Sequence, residues 1–166
     1  MHIVAAALCC ILVLGGCGST QNLAAPDDER IVAVDFSTLT RRTSPNDALI
    51  CPEGFCAHAI PDRIAPIYPV AVTTLRDAFM AMLASQPRTK LVGSDEDKLQ
   101  YTLVQKSAVF RFPDDITVQF VALDDRRATL AIYSRSRYGY SDFGANRRRL
   151  DGWLDSLQRD ISAVPS

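Results

Sequence analysis

The chain opens on an unbroken apolar run, Ile-Val-Ala-Ala-Ala-Leu-Cys-Cys-Ile-Leu-Val-Leu over residues 3–14. A helix that crosses a bilayer needs about 20 such residues, so a run of this length reads as the core of a secretory signal peptide, residues 1–16. Residues 17–30 are small and polar and are interrupted by Pro26, as a flexible tether would be. At ~5–6 Å × √n, a dozen of them reach ~20 Å on average. The remaining residues, 31–164, are patterned as a single domain.

Within that domain the β-branched run at 31–36 suits a strand. Residues 37–69 carry Pro45, Pro52, Pro61, Pro66 and Pro69, which exclude regular helix and predict an irregular arm, with a further strand at 67–72. Leu75, Ala78, Phe79, Met82 and Leu83 then recur at helical period. Thr74 with Asp77 reads as the capping pair of that helix, and Pro87 stops it. Four strands follow, at 90–93, 99–112, 115–122 and 128–138. Ile116, Val118 and Phe120 share one face of the third, and Ala128, Leu130 and Ile132 one face of the fourth. The joints 94–98, 113–115 and 124–127 are short and polar, so the strands form an antiparallel meander. Asp114-Asp115 and Asp124-Asp125 fall in these joints, where solvated charge is the default.

A last helix has Phe143, Leu150, Trp153, Leu154, Leu157 and Ile161 as its apolar face, Ser141 or Asp142 as its cap, and Pro165 beyond its end. The order β-α-β-β-β-β-α predicts an α+β fold: an antiparallel sheet of about four to six strands with two main helices packed on one face.

Composition changes this picture little. Of 166 residues, 48% are hydrophobic, and 18 Lys+Arg face 19 Asp+Glu, a net charge of −1. That is an ordinary globular profile with no global attraction to nucleic acid. The sequence has no G-x-S-x-G, H-E-x-x-H, phosphate loop or dinucleotide fingerprint, and past the signal its only histidine is His58. No cofactor or metal is expected, and catalysis is less expected than binding.

Leu14-Gly15-Gly16-Cys17 resembles the lipobox of bacterial lipoproteins. The resemblance implies cleavage before Cys17 and acylation of its thiol. Gly18, rather than Asp, then implies sorting to the outer membrane, facing the periplasm. Cys51 and Cys56 are the two cysteines left over. In an oxidising compartment an even count favours a disulfide, and Pro52 and Gly54 between them favour the turn it needs. Three alternatives stay open on sequence: Cys51, Cys56 and His58 as metal ligands, Cys56 with His58 as nucleophile and base, or two free buried thiols.

Two further segments, Ser44-Pro45-Asn46 and the stretch from Tyr133 to Arg149, resemble the bacterial domain-of-unknown-function family numbered 1499. Its late signature falls on Arg135, Ser136, Arg137, Gly139, Ser141, Asp142, Gly144, Asn146 and Arg147. The resemblance spans roughly residues 32–160 and implies the fold and the envelope location. It leaves the chemistry open. This chain has Asp47 where many members carry Cys after Pro-Asn.

From Arg126 to Arg149 the chain holds seven Arg against one acidic residue, Asp142. Tyr133, Arg135 and Arg137 share a strand face, and the start of the last helix offers backbone N–H groups. Tyr133, Arg135, Arg137, Tyr140, Ser141, Asp142, Asn146 and Arg147 are therefore the candidate site for an anion or a partner. The competing reading is structural: Asp142 caps the helix and pairs with Arg135 or Arg137, and the Arg147–Arg149 run is a solvated face. The expected function is a tethered binding or accessory module of the envelope, contacting lipid or a membrane-protein partner. The alternative is a small hydrolase or lipid-modifying enzyme using a cleft beside the sheet.

Overall fold

The computed structural model describes residues 33–163. The predicted signal, Cys17, the tether and Pro165 lie outside the described residues. The elements are β1 (Asp47–Cys51), β2 (Arg63–Ile64), α1 (Val72–Ala84), β3 (Thr89–Asp95), β4 (Gln100–Lys106), β5 (Pro113–Asp124), β6 (Arg127–Ser136) and α2 (Ala145–Ser162). The fold is α+β. Its six strands lie in the order β2-β1-β6-β5-β4-β3. The meander β3–β6 is antiparallel, as the short joints require, and β1 adds antiparallel to β6. The sheet is nevertheless mixed, because β2 pairs parallel to β1.

The boundaries differ from the sequence reading at several points. Residues 33–36 are not a strand, although Phe36 is buried. The first strand lies instead inside the proline-rich stretch, where Pro45 and Pro52 bracket Asp-Ala-Leu-Ile-Cys rather than exclude it. The expected strand at 67–72 shrinks to one bridge, Tyr68 with Ala128. Helix α1 starts at Val72 after Ala71 with no side-chain cap, so Thr74 lies inside it. Finally, 99–112 divides into β4 and a turn, and Asp114-Asp115 belong to β5, buried rather than solvated.

Period two sends alternate residues of β5 and β6 to opposite sides of the sheet. Ile116, Val118, Phe120, Leu130 and Ile132 meet the stripe Leu75, Phe79, Met82 and Leu83 of α1, and Leu150, Trp153, Leu154, Leu157 and Ile161 of α2. Both helices thus cover one face. Phe79 packs edge-on against Phe120 and Trp153, at 5.5 and 6.0 Å between ring centroids. The other face is covered by the arm: Phe36, Leu39 and Cys56 pack on Leu49, Cys51, Ala131 and Tyr133. The Cys51–Cys56 disulfide ties the arm to β1, with Cα atoms 6.3 Å apart. Both sulfurs are consumed by it, which removes them as metal ligands or nucleophiles.

Candidate functional site

The candidate residues gather at one end of the sheet, where β6 leaves for α2. They do not form one cluster, because the sheet separates them.

On the helix side lies a buried polar network. Asp114, Ser134 and Ser136 continue the faces of Ile116 and Ile132 beyond the apolar core. Asn146 and Arg149 descend onto them from the first turns of α2. The Asn146 amide donates to the Asn46 carbonyl (3.0 Å), Ser136 Oγ (3.1 Å) and Asp142 Oδ2 (2.7 Å). Its oxygen accepts from Ser134 Oγ and Arg149 Nη1. Arg149 also reaches Asp114 Oδ2 at 2.5 Å and Gln105 Oε1. Ser136 Oγ donates to the other Asp114 oxygen at 2.7 Å. Arg149 and Asp114 are about nine-tenths buried, so this ion pair is closed to bulk water. The arginine run therefore has one buried member rather than being wholly a solvated face.

Asp142 does cap α2, from two residues ahead of Gly144. Its carboxylate accepts from the backbone N–H groups of Gly144 (2.9 Å) and Asn146 (2.8 Å), and its carbonyl accepts from Ala145 N. It therefore occupies the position an external anion would take at the helix N-terminus. Ser141 Oγ accepts from Phe143 N. Arg147, half-exposed, lies 3.4 Å from Asp151 and 3.6 Å from Asp62.

On the arm side, the partner of Arg135 and Arg137 is Asp115, at 3.4 and 2.7 Å, and not Asp142 as the structural reading supposed. The register sets Arg135 between Asp47 on β1 and Asp115 on β5. Tyr133 donates its hydroxyl to Asp47 Oδ2 at 2.6 Å, and Arg41 pairs with Asp47 (2.6 Å) and Asp62 (3.0 Å). Burial and the bond to Asp47 push the Tyr133 phenol well above its ordinary value. Burial disfavours the Arg41 charge, but the Asp47 and Asp62 carboxylates outweigh it and raise its pKa.

Beyond both clusters the end of the sheet is aromatic and exposed. The turn at 107–112 is closed by Ser107 N to Phe112 O, and Pro113 O accepts from Arg137 N. These bonds bring the turn beside the loop at 137–144. Phe110 stacks on Phe112 at 5.6 Å, and Phe112 meets Tyr138 at 6.0 Å. Phe110, Tyr140 and Phe143 are 74, 76 and 86% exposed. Phe143 was expected on the apolar face of the last helix. Gly144, at φ +76°, turns the chain before the helix begins and leaves that ring outside. Arg88, Arg111 and Phe143 also hold positive φ (58, 58 and 53°), which is uncommon for side chains of this size.

Sequence reasoning named Tyr140 here but missed Phe110, Arg111 and Phe112, because a blurred alternation absorbed them into a strand. The signal was present: Phe-Arg-Phe immediately before Pro113, where a strand must begin anew. A separate groove of about 610 Å³ lies between residues 33–37 and the β3–β4 hairpin. Asp35, Asp95 and Lys98 line it, and none of the candidate residues does. Among the described residues, no group of three or more His, Cys, Asp and Glu could hold a metal ion. No described helix is long and apolar enough to cross a membrane.

A family model described as a protein of unknown function, DUF1499, matches residues 21–157. No curated protein matches the chain.

Proposed function

The chain belongs to the DUF1499 family, and we propose that it is a lipid-anchored binding module of the cell envelope whose contact surface is the aromatic–arginine end of the sheet. The observation that carries this reading is the exposed ring cluster. Phe110, Phe112 and Tyr138 form a chain of ring contacts outside the core, and Tyr140 and Phe143 are exposed on the same loop as Tyr138. Isolated exposed apolar residues are normal, whereas a contiguous aromatic patch marks a contact. The carboxylates beneath it, Asp114 and Asp115, are buried and paired with arginines, which suits a rigid support.

The anchor in this reading is Cys17, supported by Leu14-Gly15-Gly16-Cys17 and the apolar run before it. The Cys51–Cys56 disulfide fits an oxidising compartment such as the periplasm, and Gly18 fits outer-membrane sorting. The experiment has two arms. Cys17→Ser should release the protein from membranes or leave it unprocessed; unchanged fractionation and fatty-acid labelling would overturn the anchor. A photo-crosslinking side chain at Tyr140 should capture envelope components that one at Asp125, at the far end of the sheet, does not. Equal capture at both positions would overturn the contact surface.

A further inference from the structure

We infer that the aromatic–arginine end is an interfacial membrane contact: its rings enter the headgroup layer of an anionic phospholipid bilayer while its arginines meet the phosphates. This rests on the reading above, names the occupant of that same surface, and commits to lipid rather than protein.

Rings that stand in water at the end of a sheet favour the headgroup level of a bilayer, and basic residues beside them add attraction to anionic lipid. Five such rings sit on two adjoining loops. Arg88, Arg111 and Arg148 are exposed at this end. Arg88 accepts at its backbone carbonyl from Lys106 N and donates its side-chain Nε to the Lys106 carbonyl, at the mouth of the turn that carries Phe110, and Arg148 Nη1 donates to the Phe143 carbonyl at 2.8 Å. The carboxylates of the same end do not offset them, because Asp114 and Asp115 lie buried under arginines and Asp142 is spent on the start of α2. The opposite end has the reverse character: its turns carry Asp95, Glu96, Asp97, Asp124 and Asp125 against Lys98, Arg126 and Arg127. A molecule polarised in this way meets an anionic surface with its aromatic end first.

Val34 O accepts from Gln100 Nε2, so the chain enters at the end of β4 away from the tip. The seven residues of β4 cover about 23 Å. Residues 17–32 can extend to about 55 Å. An anchor at Cys17 therefore leaves the tip free to turn onto the membrane that holds it.

The test uses the full chain with Cys17→Ser and a tryptophan reporter at one of two positions, Tyr140→Trp at the tip or Asp125→Trp at the far end. The native Trp153 is buried and common to both. Vesicles of phosphatidylethanolamine with phosphatidylglycerol, containing acyl-brominated lipid, should quench the reporter at 140 and spare that at 125. Equal quenching, or none at 140, overturns the inference. Quenching at 140 should weaken in phosphatidylcholine vesicles and at high salt. In the same background, Phe110→Ser with Phe143→Ser should reduce vesicle partition by about tenfold, since two rings lose their place at the headgroup level. An unchanged partition coefficient would overturn it. The apolar stretch at 3–14 is present in every variant and cancels from these comparisons. If photo-crosslinking at Tyr140 instead captures one envelope protein while vesicles leave the reporter unquenched, the contact surface stands and its lipid identity fails.

Discussion

The side-chain amide of Asn146 donates to the backbone carbonyl of Asn46 at 3.0 Å, across one hundred residues of sequence. Asn46 returns the connection: its own amide donates to the Gly139 carbonyl at 2.6 Å, and its carbonyl also accepts from Ser136 N. The Ser-Pro-Asn segment and the late arginine-rich segment are therefore two halves of one clasp. It holds the start of β1 against the passage from β6 into α2.

Asn146 serves this clasp as a donor on one side and an acceptor on the other. Asn146→Ala leaves Ser134 and Arg149 without their buried acceptor, so stability should fall by about 3 kcal/mol. Asn146→Asp has the same shape but places an oxygen against the Asn46 carbonyl and Asp142 Oδ2. At neutral pH it should be the worse of the two, and relative to wild type it should recover as pH falls and the new carboxyl gains a proton to donate. Urea unfolding at neutral and mildly acidic pH decides it; an aspartate variant as stable as wild type would contradict this account.

Asp114 and Arg149 are a buried pair whose other hydrogen-bonding positions are filled by Ser136, Ser134, Gln105 and Asn146. Removing one partner strands the other charge. Asp114→Leu or Arg149→Met alone should each cost about 3–5 kcal/mol. The double variant should lose far less than the sum, because no unpaired charge remains. A double-mutant cycle in urea measures this, and additive losses would show that the two side chains are not coupled.

Tyr68 and Tyr133 give the protein a defined alkaline limit. Burial raises the Tyr68 phenol to about 12, and burial with the Asp47 bond raises Tyr133 further. Both lose protons more readily in the unfolded chain, near pH 10. The unfolded state then binds fewer protons, so stability is full below pH 10 and falls as pH rises through the folded-state values. Tyr133→Phe should flatten that fall while lowering stability at neutral pH, because Asp47 loses a donor. Thermal unfolding from pH 8 to 11.5 checks both signs; the same slope in the variant would remove Tyr133 as a cause.

The fold was legible wherever a pattern repeats. Leu75, Phe79, Met82 and Leu83 announce α1, and the alternations through Ile116–Phe120 and Ala128–Ile132 announce β5 and β6 together with the faces they bury. It was illegible where one residue type serves two ends. Pro45 and Pro52 read as the enemies of structure and proved to be the borders of β1. Asp114 and Asp115 read as solvated because they follow a proline, yet β5 starts at that proline and carries them inside. The candidate site was half legible: its residues were named from the chain, but their separation by the sheet was not. Alternate residues of β6 point to opposite faces, so Tyr133, Arg135 and Arg137 take Asp47 and Asp115, while Ser134 and Ser136 take Asn146 and Asp114.

Asp142 combines two roles that substitution separates. Its Oδ1 receives only Gly144 N, whereas Oδ2 receives both Asn146 N and the Asn146 amide. An asparagine can keep one oxygen on the double acceptor position and turn its NH2 group toward Gly144 N, a donor facing a donor. Asp142→Asn should therefore lose about 1 kcal/mol, more than an ordinary exchange between good capping residues. Asp142→Ala empties both positions and should lose about 2 kcal/mol or more, with the buried Asn146 amide left short of one acceptor. Arg135 and Arg137 are paired with Asp115, so neither variant strands a guanidinium and neither should reach the several kcal/mol of a broken buried ion pair. Urea unfolding of the three proteins orders them. A loss at Asp142→Asn as large as that at Asp114→Leu would mean that Asp142 neutralises a buried arginine after all.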